Sequence, residues 1–271
     1  MSAVGAARSY EIAGIPCVVN AEPAVLDRVD KTYGGFRAEH DRGEQALTFD
    51  LASGEPLHDL FNRITEGIVG RLSLEGIYPI HAAALEHDGG ALILSGRSNA
   101  GKTTLALRLL QDGLKLLSDE LALSGPAGRT ILPYRRSLHV RPGTPELIEE
   151  LAFLARERKL ELGGGIEWSL LPSELESVFP GCLGSASELS HVVLLGARAG
   201  SGTTARLEAV PAATAAVELV SATPAAAANF AAALDRMARL TDGARCVRLH
   251  PGSLEDSAAL ILEWLGADAA P

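Results

Sequence analysis

The sequence has few cysteines, no long apolar run and no excess of basic residues. Its three cysteines, Cys17, Cys182 and Cys246, stand at unrelated spacings, which fits neither a disulfide framework nor a zinc site. We expect three buried thiols. No run of about 18 apolar residues occurs, and no basic segment leads into an apolar one at the N-terminus. We therefore expect neither a membrane span nor a signal peptide, and a cytoplasmic location.

Acidic residues outnumber basic ones, 34 to 24, which gives a formal net charge of −10. Nucleic-acid binding depends on basic patches that neutralise phosphates, so this balance argues against a nucleic-acid partner. The chain has 271 residues, of which 47% are hydrophobic. That is enough to bury a sizeable core, and we expect a folded chain rather than a disordered one.

The residues Gly96 to Thr103 match the phosphate-binding pattern G-x-x-x-x-G-K-[ST] at every defined position. The apolar run 91–95 predicts a buried strand before the pattern, and residues 103–111 predict a helix after it. This context makes a chance match in a turn the weaker interpretation. The predicted phosphate-contacting residues are Gly96, Ser98, Asn99, Ala100, Gly101, Lys102, Thr103 and Thr104.

The chemistry of this stretch fits a nucleoside triphosphate with Mg²⁺. Glycines let successive backbone N–H groups point inward, and the start of the following helix adds the positive end of its dipole. Lys102 is expected to reach the β- and γ-phosphates, and the Thr103 hydroxyl is expected to be a Mg²⁺ ligand. We therefore predict a nucleoside triphosphate and Mg²⁺ as the bound species.

An acidic pair, Asp119 and Glu120, follows the next apolar run, 114–118. Gly113 stands where a helix C-cap glycine belongs, so the segment predicts a strand, a helix and a parallel strand. Loops that follow parallel strands emerge at the same end of a sheet, which brings the pair to the phosphate-binding loop. Both acids are candidate metal ligands. The alternative is that Asp119 only begins a turn.

His81 can be placed by counting across a predicted hairpin. The turn at 87–90 separates two apolar runs, and centring it on Asp88 and Gly89 pairs residues whose numbers sum to about 177. That register sets His81 opposite Gly96. A catalytic role and a structural role for His81 are weighed equally.

These residues resemble the catalytic domain of the HPr kinase/phosphorylase family and its smaller relatives, which include kinases encoded with lasso-peptide and other modified-peptide cassettes. The resemblance rests on His81, on the loop Gly96 to Thr103, and on Asp119 and Glu120. It implies an α/β fold, a P-loop mixed sheet flanked by helices, with a nucleotide-binding core like those of HPr kinase and PEP carboxykinase. It also implies homo-oligomers.

The resemblance further implies an ATP- and Mg²⁺-dependent kinase that phosphorylates a hydroxyl, with a serine of a peptide or protein, such as a lasso-peptide precursor, as acceptor. It assigns the role of base to Asp119, an auxiliary role near the metal to Glu120, and a place beside the γ-phosphate to His81. A small-molecule hydroxyl kinase and a non-catalytic ATP-binding regulatory protein remain as alternatives.

The rest of the chain is less informative. We expect residues 1–74 to form a β-rich cover on a catalytic domain of residues 75–271, or alternatively a separate module that recognises a peptide leader. Three arginines lie between positions 135 and 141 in this acidic chain. Arg141 is the preferred candidate for a phosphate contact, and the alternative is an ordinary solvated face.

Overall fold

The computed structural model describes residues 5–39, 45–51, 55–126, 128–156, 160–162, 165–197 and 203–267. Within these ranges the helices are α1 (Pro23–Tyr33), α2 (Leu57–Leu74), α3 (Lys102–Gln111), α4 (Thr144–Leu147), α5 (Pro172–Val178), α6 (Ala212–Ser221), α7 (Phe230–Thr241) and α8 (Leu254–Gly266). Short 3-10 helices cover Gly34–Phe36, Glu149–Arg156 and Pro224–Ala227.

The strands in the same ranges are β1 (Ala6–Ile12), β2 (Ile15–Ala21), β3 (Leu47–Asp50), β4 (Tyr78–His87), β5 (Gly90–Ser95), β6 (Lys115–Ser118), β7 (Leu121–Ser124), β8 (Thr130–Leu132), β9 (Leu138–Val140), β10 (Leu160–Leu162), β11 (Gly165–Leu170), β12 (Ser187–Leu195), β13 (Arg206–Ala209) and β14 (Arg245–His250).

The contacts divide the chain into two compact units. One comprises Met1–Gly76 and Arg135–Pro180, and the other comprises Ile77–Tyr134 and Gly181–Pro271. The first contact boundary follows Gly76. Residues 135–180, however, group with the N-terminal residues and not with the phosphate-binding loop, because β9 and β11 pair with each other and residues of this segment hydrogen-bond to α1.

The first unit holds two three-stranded sheets, β1-β2-β3 and β10-β11-β9. β1 and β2 form an antiparallel hairpin whose turn residues, Ala13 and Gly14, have φ angles of 52° and 83°. α2 buries Leu60, Ile64, Ile68 and Leu72, one face of the helix that the sequence spacing predicts over 57–74.

The second unit is built on an eight-stranded mixed sheet, with the described strands in the order β13-β14-β12-β5-β4-β7-β8 and β6 paired to β4. β5 runs parallel to β12 and antiparallel to β4. The stretch from Ala91 to Leu94 is fully buried, as expected for a central strand with both faces covered. α6 and α7 pack on a cluster that includes Ile80, Ala82 and Ile93, while α3 contacts β4, β5, β6 and α8. The expected mixed sheet flanked by helices is therefore confirmed.

The three cysteines are buried and form no disulfide, as expected. Burial raises the pKa of the Cys17 thiol to about 12 and that of the Cys246 thiol to about 11. The described helices include none that is long and apolar enough to cross a membrane.

The stability of the second unit should depend on β12, the strand beside β5. Val192 is fully buried there, whereas Val217 on α6 is 52% exposed. Val192→Ala should lower the free energy of unfolding by about 2–3 kcal/mol, because it removes two buried methyl groups and leaves a cavity. Val217→Ala, the same chemical change on the surface, should shift it by no more than about 0.5 kcal/mol. Urea denaturation followed by circular dichroism measures both, and equal losses would contradict this placement of the core.

Candidate phosphate-binding site

The glycine loop, residues 96–103, joins the end of β5 to the start of α3. The observed bounds, Gly90–Ser95 and Lys102–Gln111, agree to within one residue with the strand and the helix predicted from the sequence. The loop curls through left-handed backbone at Asn99 and Gly101, which have φ angles of 65° and 93°. Successive turns of this kind direct backbone N–H groups toward a common point, which is the geometry of an anion site.

Gly96 is required for a steric reason. A Cβ atom at this position would lie 2.9 Å from the Leu195 Cβ atom and 3.3 Å from the Leu195 carbonyl oxygen, at the end of the neighbouring strand β12. The loop can therefore leave the sheet at this point only without a side chain. Its first glycine is explained by packing and its second by backbone conformation.

The helix that follows the loop contributes its N-terminus. The first helical hydrogen bond runs from the Leu105 N–H to the Gly101 carbonyl oxygen. The amides of residues 102–104 therefore stand at the helix start, where N–H groups and the helix dipole favour negative charge. This arrangement includes Thr103 and Thr104, as predicted from the pattern.

The Lys102 side chain is held inside the loop. Its Nζ atom donates hydrogen bonds to the Gly96 carbonyl oxygen at 2.8 Å and to the Arg97 carbonyl oxygen at 3.3 Å, and the residue is only 9% exposed. These bonds fix a buried positive charge beside the backbone amides of the glycine loop. A bound phosphate would meet both.

Asp119 lies against the loop, sixteen residues after Thr103 in sequence. The Thr103 hydroxyl donates a hydrogen bond of 3.2 Å to Asp119 Oδ2. The chain bends here because the Ser118 hydroxyl oxygen accepts from the Leu121 N–H at 3.1 Å, which separates β6 from β7. The expectation that the loop and the acidic pair meet at one end of the sheet is therefore met for Asp119.

The Thr103 and Asp119 oxygens fit a magnesium ion. Mg²⁺ prefers hard oxygen ligands and takes few from the protein, keeping waters and binding substrate phosphates. A hydroxyl and a carboxylate oxygen 3.2 Å apart at the start of α3 provide such a pair. For Glu120 the structure gives a backbone contact, since its carbonyl oxygen accepts from the Ala82 N–H at 3.2 Å. The metal role of its side chain stays a prediction.

The register of β4 brings His81 to the loop. Ala82 pairs with Ser95 and His87 pairs with Gly90, so the predicted sum of 177 is the observed one. On its other side His81 pairs with Leu121, the residue that follows the acidic pair. The exposed His81 is thus flanked by the strand that enters the glycine loop and by the strand that leaves Asp119 and Glu120.

Arg141 is placed differently from the other predicted residues. It follows β9 and belongs to the unit of Met1–Gly76 and Arg135–Pro180, whereas the glycine loop and Asp119 belong to the other unit. Arg141 is exposed, and its carbonyl oxygen accepts from the Thr144 N–H at 3.2 Å. Its proposed phosphate contact stays a prediction.

The helix after Arg141 is also shorter than the sequence indicates. Thr144 followed by Pro145 predicts a helix with Thr144 as its N-cap, but the helix begins at Thr144, and Gly143, with a φ angle of 95°, holds the cap position. After Leu147 the chain continues as a 3-10 helix.

Sequence reasoning missed one neighbour of His81. The His81 N–H donates a hydrogen bond of 2.7 Å to the Ala222 carbonyl oxygen, in the connection between α6 and the 3-10 helix Pro224–Ala227. The alanine-rich composition of residues 211–240 predicts helical packing alone. The composition did indicate an uncharged surface, since Glu218 is the only charged residue between positions 211 and 234.

Comparison with known proteins does not assign the chain to a family. No family model matches the chain, and neither does any curated protein. Among solved structures, the chain aligns with the structure of the HPr(Ser) kinase/phosphatase from Coxiella burnetii, over 71% of this chain and 99% of that one, with 14% identity and a TM-score of 0.31. A structural similarity this slight assigns no activity to the chain.

The left-handed backbone of the glycine loop can be tested with a matched pair of glycines. Gly101 and Gly113 share a φ angle of 93°, and a Cβ atom on either would meet no atom within 4 Å. Gly101→Ala and Gly113→Ala should therefore each lower the free energy of unfolding by about 1–2 kcal/mol, through backbone strain alone. Urea denaturation measures both losses. A neutral Gly101→Ala variant would show that the loop does not hold this conformation in solution.

Proposed function

We propose that the chain is an ATP- and Mg²⁺-dependent kinase that transfers the γ-phosphate to a hydroxyl, with a serine of a peptide or protein as the acceptor. The observation that carries this proposal is the 3.2 Å hydrogen bond between Thr103 and Asp119. It joins a glycine loop suited to phosphates with an acid suited to a metal ion or a proton.

The residues of the loop bind and orient the donor nucleotide. The backbone amides and the Lys102 ammonium group would hold the β- and γ-phosphates, and their positive charge would stabilise the charge that develops on the transferring group. Thr103 and Asp119, with Glu120 as a further acid, would hold Mg²⁺, which neutralises phosphate charge when it is bound. Much of the expected catalysis is positioning, because phosphoryl transfer needs little covalent chemistry from the protein.

The transfer itself is an in-line displacement. The acceptor oxygen forms a bond to the γ-phosphorus as the bond from that phosphorus to the β–γ bridging oxygen breaks, and ADP leaves. The hydroxyl proton passes to the Asp119 carboxylate, the acid that touches the loop. His81 stands beside the loop, where its imidazole would interact with the γ-phosphate. The products are ADP and a phosphate ester.

The acceptor class comes from the sequence resemblance. A ribosomal peptide precursor, such as a lasso-peptide precursor, would present a serine on an extended or flexible segment. The open pocket beside His81 suits an acceptor that is not enclosed on all sides.

The kinase proposal predicts transfer of label from γ-labelled ATP with Mg²⁺ to serine-containing peptides. Asp119→Asn should reduce the rate by about 10²-fold or more, because the base is lost while the shape is kept. Lys102→Ala should reduce it to a similar extent, because a buried charge on the phosphates is lost. Transfer is measured by separating labelled peptide from ATP and free phosphate.

The chain offers matched controls for both substitutions. Asp88 lies in the exposed turn between β4 and β5, and Lys115 lies exposed on β6, where it pairs with Glu86 at 3.9 Å. Asp88→Asn and Lys115→Ala make the same changes of charge away from the loop and should leave the rate unchanged. Release of free phosphate alone, or full activity in Asp119→Asn, would overturn the proposal.

A further inference from the structure

An open pocket of about 570 Å³ lies beside His81. Apart from His81, its lining comes from the alanine-rich wall, which we define as residues 220–230. The wall contains the end of α6, the 3-10 helix Pro224–Ala227 and the first residue of α7. All of these residues belong to the unit that carries the glycine loop.

Hydrogen bonds fix where this pocket opens. The Ala82 N–H points to the Glu120 carbonyl oxygen, so the preceding N–H, that of His81, points to the opposite side of β4, the side of β5. β5 ends at Ser95, where the glycine loop begins, and the Ala222 carbonyl oxygen takes the place of a strand partner for His81. The alanine-rich wall therefore continues along β4 from the point where the chain turns into the loop.

The wall is held by its own hydrogen bonds. Thr223 is 4% exposed, and its hydroxyl donates to the Leu219 carbonyl oxygen at 2.8 Å. The Asn229 side chain caps α7 by accepting from the Ala232 N–H at 3.0 Å. Such bonds fix the backbone of the pocket before any ligand arrives, which reduces the ordering cost of binding.

The pocket lining carries no Asp, Glu, Lys or Arg, although the whole chain has a net charge of −10. The nearest charge in sequence, Glu218, is paired with Arg248. Phe230 is 58% exposed at this surface, and three alanines, Val220 and Pro224 form most of the remainder. A charged occupant would lose part of its hydration shell here without gaining a counter-ion. An apolar side chain has no such cost, because leaving water for an apolar surface is favourable.

We propose that this pocket binds an uncharged, apolar side chain of the acceptor peptide, next to the residue that is phosphorylated. The proposal rests on the kinase function proposed above and names the substrate class that the same site selects. Position and chemistry both favour this occupant, because the pocket opens beside His81 and the start of the glycine loop and its lining is uncharged. The alanine-rich wall thus determines specificity, while Asp119 and Lys102 act on the phosphate.

The test uses two labelled peptides that differ only beside the serine, Gly-Gly-Leu-Ser-Gly-Gly and Gly-Gly-Asp-Ser-Gly-Gly. The wild-type protein should phosphorylate the leucine peptide with a kcat/KM at least about tenfold higher, the range that one apolar contact gives. Ala227→Asp places a charge on the exposed part of the pocket and should remove most of this preference while leaving the KM for ATP unchanged. Ala213→Asp, at an exposed alanine of α6 outside the pocket, should keep the preference.

The outcomes separate this inference from the kinase proposal. Equal phosphorylation of both peptides by the wild type, or a preference that survives Ala227→Asp, overturns the pocket and leaves the kinase standing. A rise in the KM for ATP in Ala227→Asp, with the peptide preference intact, assigns the pocket to the nucleoside and also overturns it. If neither peptide is phosphorylated, the kinase proposal fails. The pocket is then tested on its own by measuring the binding of the same two peptides by fluorescence anisotropy. Tighter binding of the leucine peptide to the wild type than to Ala227→Asp supports the pocket, and equal binding rejects it.

Discussion

The register of β4 between its two neighbours is the constraint on which the site depends. On one side Ala82 pairs with Ser95, the last residue before the glycine loop, and on the other His81 pairs with Leu121, the first residue after the acidic pair. A slip of one residue would turn His81 to the other face of the sheet and move it away from the loop. The two-residue turn at Asp88 and Gly89 keeps the register of β4 against β5.

Local sequence signals were sufficient for the elements around the loop. The hairpin turn at Asp88 and Gly89 has left-handed backbone at both residues, so counting outward from it gave the correct register of β4 against β5, in which Ala82 pairs with Ser95. Gly113 ends α3 with a φ angle of 93°, as predicted, and Ser253, a residue type that favours the start of a helix, caps α8 by accepting from the Asp256 N–H. In each case a residue type with a strong conformational preference marks the boundary of the element.

Where such a marker is weak or the partner is distant, sequence reasoning failed. The alternation of apolar residues over 10–19 predicts one edge strand, but Ala13 and Gly14 turn the chain into a hairpin, and alanine is seldom found with a positive φ angle. Residues 135–180 follow the acidic pair in sequence but group with the first 76 residues, and hydrogen bonds over such separations, like the one from the Ser137 N–H to the Thr32 carbonyl oxygen, leave no local signal. The contact between His81 and Ala222 joins residues 141 positions apart and could not be found by spacing.

The distribution of charge suggests what each part of the site would bind. In a chain with a net charge of −10, the proposed ATP site would need local positive potential, which the buried Lys102 ammonium group would supply together with the amides at the start of α3. The alanine-rich wall next to it carries no charge, so the two parts of the site would select different things. The loop would select phosphate, and the wall would select the apolar neighbour of a hydroxyl.

A crystal structure of the protein with Mg²⁺ and the β,γ-imido analogue of ATP tests the central claim most directly. The account predicts the β- and γ-phosphates inside the glycine loop, within hydrogen-bond distance of Lys102 Nζ, with the metal ion beside Thr103. A loop without phosphate at saturating analogue, or an analogue bound elsewhere on the protein, would contradict it.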